Sequence, residues 1–180
     1  MSPPSSDQDQ ANRPRRADAA QAHTPTAPPA ATMVAVLAAE WVAPSIARDR
    51  VRQWLTAHRW SPAHLDDLVL AISEAVSNSV EHGYGLPVND IPTRSAMAAP
   101  SSTIEVRGHV TTNSDGARRV EFTIRDHGQW MPPGARCYSR GHGLTIMRAC
   151  TDEVIVDHSS GGTTVVLRSR PLPRLPLRSV

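Results

Sequence analysis

Leu68–Gly83, reading LVLAISEAVSNSVEHG, decides how this chain folds. Leu65, Leu68, Val69, Ile72 and Val76 recur at helical spacing and form one apolar stripe. Glu74, Asn78 and His82 stand at i, i+4 and i+8, stacked along a helix face. At about 100° per residue the two rows fall on roughly opposite sides. The spacing therefore predicts a helix with one side on a core and the other holding a carboxylate and an amide over a ligand. A solvated face that happens to carry Glu, Asn and His is the alternative, although such a face ordinarily favours long charged side chains.

Outward from this helix, the chain of 180 residues with 39% hydrophobic content accommodates one domain of ordinary size plus tails. Residues 1–32 are rich in Pro, Ala, Ser and Gln and nearly lack large apolar side chains, so they are expected to be disordered. Residues 33–170 are expected to form the domain, and 171–180 a Pro/Arg-rich tail. Met33–Leu37 suits a first strand, and Pro44–His58 has helical spacing in Ile46, Val51 and Leu55. Ser61 is placed to cap the long helix, with Pro62 in its first turn, and the helix should end near Gly83–Gly85.

Residues 86–101 hold three prolines and little periodicity, as in a loop. Ile104, Val106 and Val110 alternate with polar residues, as do Val120, Phe122 and Ile124. With a turn at Asn113–Gly116 they predict an antiparallel hairpin with one wet face. Leu144–Cys150 reads as a short helix, followed by strands at Glu153–Asp157 and Thr163–Arg168 joined through Gly161-Gly162. Early helices and late strands predict an α+β sandwich, with helices on one face of a mixed β-sheet.

All nineteen basic residues are arginine, and this absence of lysine excludes several chemistries. A Walker-type phosphate loop, a protein kinase of the common fold and a pyridoxal enzyme each need a lysine. A nucleotide bound here would need backbone amides, helix termini and a metal around its phosphates. A net charge of +2 with scattered arginines gives no case for direct nucleic-acid binding. Cys137 and Cys150 lack zinc spacing, and the eight histidines form no ligand cluster. No signal peptide or eighteen-residue apolar run is visible, so a cytoplasmic protein without membrane contact is expected.

Three short motifs follow the helix. Asp126-His127-Gly128 closes a strand, so that the Asp126 carboxylate should emerge where a sheet edge meets a loop, beside a glycine that admits a ligand. Arg140-Gly141-His142-Gly143-Leu144 opens a helix whose unpaired amides suit a polyphosphate. Gly161-Gly162-Thr163-Thr164 begins the last strand, where a hydroxyl could meet a base edge. Taken singly, each is equally an ordinary turn or linker.

Their joint order resembles the GHKL (Bergerat-fold) ATPase superfamily: a helix with Glu and Asn, a strand ending in DxG, a GxGL helix start and a GT strand. EAVSNSVEHGY, IRDHGQW, RGHGLTIMRACTDEV and GGTTVVL are similar, more closely, to bacterial anti-sigma-factor serine/threonine protein kinases, over about Ala43 to Arg168. The resemblance implies a two-layer Bergerat sandwich binding ATP and Mg²⁺. It implies that Asn78 ligates the metal and that Glu74 is the catalytic base. Asp126 would bind the adenine amine, with Gly128 beside it and Thr163 near the base. Gly141, Gly143 and Leu144 would line the phosphates, and Met131 to Arg140 would form a lid. His82 would support the helix end.

The implied activity is phosphorylation of a serine on an anti-sigma antagonist by a protein that also sequesters a sigma factor, with homodimerisation possible. The alternative is a nucleotide-gated binding module of the same fold without useful turnover. A histidine-kinase fragment fits less well, because no phosphoacceptor helix is visible ahead of the fold. One departure stands out: Trp130 replaces the final glycine of the family's DxGxG, implying a stiffer or shorter lid, an aromatic packed on the base, or core filling beside Phe122.

Overall fold

Alternation and helical spacing resolve into two layers in the structure, a computed structural model describing residues 31–85, 102–128 and 142–173. Strand β1 is Thr32–Ala38, helix α1 Ala43–Ala57 and helix α2 Pro62–Asn78. A π-helical turn, Ser79–Gly83, continues α2. Strands β2 (Thr103–Thr112) and β3 (Arg118–Asp126) form the expected hairpin. Helix α3 (Gly143–Cys150) precedes β4 (Glu153–Ser159) and β5 (Gly162–Arg168).

The five strands lie in the order β1-β2-β3-β5-β4, and every pairing is antiparallel. The α+β class stands, but the mixed sheet expected from sequence is corrected to an antiparallel one. The reason is topological. β3, α3 and β4 form a crossover unit whose two strands run parallel, yet β5 inserts between them and pairs antiparallel with both.

The helices cover one sheet face. α2 is the central one, flanked by α1 and α3, and its buried arc is wider than the predicted stripe: Ala71, Ser73 and Ala75 join Leu65, Leu68, Val69, Ile72 and Val76. These pack on Ile104, Val106, Val120, Phe122, Ile124, Val165 and Leu167 from the sheet. Burying a side chain such as Phe122 or Ile72 stabilises the fold by about 1.5–3 kcal/mol. Trp54 of α1 meets the Phe122 ring edge-on, with centroids 5.7 Å apart, and thereby locks α1 to the sheet. Among the described residues no element packs on the opposite sheet face, where Arg168 spans Glu121 and Glu153 at 2.7 and 2.6 Å.

Local chemistry sets the element ends. Pro44 and Pro62 open their helices, where a missing N–H is harmless. Ser61 occupies the N-cap position, but its hydroxyl pairs with the His64 ring at 2.7 Å and makes no bond to a backbone amide. The expected capping bond is therefore corrected to a side-chain pair. The Asn113–Gly116 turn closes through bonds from Gly116 N–H to Asn113 O and Asn113 N–H to Ala117 O. Leu172, two residues past the boundary drawn from sequence, pairs with Arg118 through N–H···O bonds of 2.8 Å in both directions. Among the described residues, no helix is long and apolar enough to cross a membrane.

Candidate functional site

The polar row of α2 is half-buried, because the start of α3 packs over it. A methyl placed on Gly143 would lie 3.2 Å from both Oδ1 and Nδ2 of Asn78 and 3.4 Å from Oε2 of Glu74. The carboxylate, the amide and the first residue of α3 thus meet at one point. Leu144 follows on α3, partly buried against the core. The first amides of an α-helix have no intrahelical partner and carry the positive end of its dipole, so this junction suits an anion held beside Glu74 and Asn78.

His82, half-buried like Glu74 and Asn78, stands past the α-helical part of the row. Asn78 ends the α-helical part of α2, and His82 lies in the π turn, where Tyr84 N–H bonds back to Ser79 O at 3.1 Å. The i→i+5 pattern takes one more residue per rotation than the α-helix before it. The extra residue brings Gly83 against Asp126, with a methyl on Gly83 lying 3.1 Å from its Oδ1.

Asp126 is 2% exposed. It ends β3, the middle strand of the sheet, which corrects the sequence expectation of a carboxylate at a sheet edge. Its Oδ1 accepts N–H bonds from Gly128 at 3.0 Å and Thr163 at 3.2 Å. Among the described residues Oδ2 carries no hydrogen bond, so one acceptor is left for a donor from outside. Gly128 is forced by close approach: a methyl there would lie 2.1 Å from Gly83 O. Gly162 holds φ +119° and a methyl there would fall 2.0 Å from Asp126 O, so only glycine fits. Thr163 is buried beside it, at 7% exposure.

One end of α2 and its π extension therefore carry both halves of the site: Glu74 and Asn78 face α3, and Gly83 abuts Asp126. Gly141, Trp130 and the expected lid, 131–140, lie outside the described residues. Three contributors escaped the sequence reading. Gly83 and Gly162 were visible only as turn formers, and Tyr84 stood unused in the HGY triplet. The Tyr84 hydroxyl donates to Thr103 O at 2.8 Å and accepts the His127 N–H at 3.1 Å.

Among the described residues, no three His, Cys, Asp or Glu side chains gather where they could hold a metal by themselves. The Asn78 amide oxygen and the Glu74 carboxylate are nevertheless hard oxygen donors of the kind Mg²⁺ takes, one or two at a time, when phosphates complete its shell. Cys150, at the end of α3, feels the same acidic surroundings: burial pushes its thiol up, and the Asp67 and Glu74 carboxylates add to the shift against Arg170.

Residues 37–169 match the histidine kinase-like ATPase domain family. The chain is 33% identical over 108 residues to an anti-sigma F factor of Geobacillus thermodenitrificans (strain NG80-2), covering 58% of this chain and 68% of that protein. It is 29% identical over 102 residues to an anti-sigma F factor of Thermoanaerobacter sp. (strain X514), covering 56% and 65%. Among solved structures it is similar to the RsbU and RsbW domains of a Mycobacterium tuberculosis protein, with a TM-score of 0.55 and 28% identity. That overlap takes in 79% of this chain and 33% of the mycobacterial one, so this chain spans about a third of its length.

Proposed function

Because the chain belongs to the histidine kinase-like ATPase domain family, we propose that it is an ATP-dependent anti-sigma factor that phosphorylates a serine of an anti-sigma antagonist protein. The observation that carries this reading is the meeting of Glu74, Asn78 and Gly143 at the start of α3. Phosphoryl transfer asks chiefly for positioning and charge neutralisation, and such a junction supplies both without lysine.

In this reading the ATP triphosphate lies against the start of α3, with the backbone of Gly143 and Leu144 facing its oxygens. Asn78 Oδ1 would hold Mg²⁺, whose charge would neutralise the phosphates. Asp126 Oδ2 accepts the adenine amine, while the Gly128 and Thr163 N–H groups hold Oδ1 beside it. Glu74 orients the incoming serine hydroxyl and accepts its proton as the new O–P bond forms and the bond to the ADP oxygen breaks.

The sigma-binding role is supported by the likeness to two anti-sigma F factors. A cytoplasmic location follows from such a partner. Homodimerisation is part of the same reading. Incubation of the purified chain with ATP, Mg²⁺ and its antagonist should yield phosphoserine, and Glu74→Ala should abolish it. Tight ATP binding without transfer to a verified antagonist would replace the kinase by a nucleotide-gated binding module.

A further inference from the structure

The Tyr84 hydroxyl occupies an unusual place in the sheet. β2 and β3 pair in register down to Ile104 opposite Asp126, so the next facing pair would be Thr103 and His127. In a continued ladder the His127 N–H and the Thr103 carbonyl could bond directly. Instead the phenolic oxygen stands between them, donating to Thr103 O at 2.8 Å and accepting the His127 N–H at 3.1 Å. It satisfies both backbone groups while holding the strands apart.

The consequence falls on Asp126, the residue just before this insertion. Its Oδ1 is fixed by Gly128 N–H and Thr163 N–H, and Gly83, adjacent to Tyr84 in the chain, abuts the same carboxylate. The path of the backbone through His127 decides where the Gly128 N–H points, and hence how the carboxylate is turned. On the other side the His127 ring reaches Gly161 O, with Nδ1 at 3.4 Å, at the turn leading into Thr163. The hydroxyl is therefore the splice that keeps β3 from zipping onto β2 at the point where Asp126 must present Oδ2.

We propose that Tyr84 is a positioning residue for base recognition, setting the direction of the Asp126 carboxylate through the His127 amide. This inference rests on the nucleotide-binding reading of the site. Removing the hydroxyl lets the His127 N–H reach the Thr103 carbonyl directly. That closure draws the turn toward β2 and rotates the carboxylate off its line to the base amine.

The test is calorimetric titration of ATP and of GTP, with Mg²⁺, into wild-type, Tyr84→Phe and Asp126→Asn proteins, alongside thermal melting. Tyr84→Phe keeps the ring and should weaken ATP binding by about three- to tenfold, the range expected for one misdirected hydrogen bond. GTP binding should change less, so the preference for ATP over GTP narrows. Unchanged ATP affinity, or equal losses for both nucleotides together with a lowered melting midpoint, overturns the inference. If Asp126→Asn loses ATP affinity while Tyr84→Phe does not, the inference fails and the nucleotide site survives. If Asp126→Asn binds ATP as wild type does, the nucleotide reading fails and carries this inference with it. Should Tyr84→Phe not fold, amide exchange in the wild-type protein decides: a protected His127 N–H is expected, and exchange at the rate of a free loop overturns the proposal.

Discussion

Gly143 and Asn78 meet across the α2–α3 interface with little space between them: a methyl on Gly143 would lie 3.2 Å from both polar atoms of the amide, which would have to give by a few tenths of an ångström. This contact sets the start of α3 against the Glu74–Asn78 pair.

Gly143→Ala separates stability from binding at this contact. In an ordinary helix the exchange stabilises by about 0.4–1 kcal/mol, through the unfolded chain. Here the added methyl presses on Asn78, so the melting midpoint should hold or rise while ATP affinity falls. Parallel melting and calorimetry check this.

Asn78→Ala should weaken Mg-ATP binding by at least about tenfold, the lower range for disturbing a metal site. Titration with Mg²⁺ and again with a chelator distinguishes the roles: the loss should shrink without the cation. An equal loss in both conditions would make Asn78 a phosphate or packing contact.

Gly162→Ala should damage fold and site together. With φ at +119° and a methyl 2.0 Å from Asp126 O, the backbone strain alone costs about 1–3 kcal/mol. Relief requires β5 to shift from β3, which moves the Thr163 N–H away from the Asp126 carboxylate. Denaturant unfolding should show the stability loss, and nucleotide titration a weaker site.

Much of this arrangement is legible from local pattern. The apolar spacing of α2, the alternation of β2 and β3 and the glycine turns place nearly every element within a residue or two, because each is a one-dimensional signal of burial. The insertion of β5 between β3 and β4 is not local, so an antiparallel sheet reads as a mixed one. The π turn escapes for a related reason: Ser79–Gly83 carries no distinctive composition, and its wider rotation follows from the packing of Gly83 on Asp126 and Gly128, residues distant in the chain. Ser61 looks like a capping serine until His64, one turn on, takes its hydroxyl. Glu74, Asn78, Asp126, Gly128, Gly143 and Thr163 could be named from sequence, but their partners Gly83, Tyr84 and Gly162 required the fold.

Cys150 predicts a pH dependence. Burial, with Asp67 and Glu74 adding to it, raises the folded-state thiol above its ordinary value of 9.0. The native state therefore keeps a proton that the unfolded chain has lost, so this contribution to stability is whole below pH 9.0 and declines as pH rises through and past it. Denaturation at a series of alkaline pH values should show the decline, and Cys150→Ala should flatten it. Identical slopes in the two proteins would contradict the assignment.

The structure of the chain with a non-hydrolysable ATP analogue and Mg²⁺ tests the central claim most directly. The account predicts the adenine amine within hydrogen-bonding distance of Asp126 Oδ2, the cation on Asn78 Oδ1 and the γ-phosphate between Glu74 and the start of α3. A nucleotide bound elsewhere, or one whose phosphates leave Asn78 and Glu74 untouched, would contradict it.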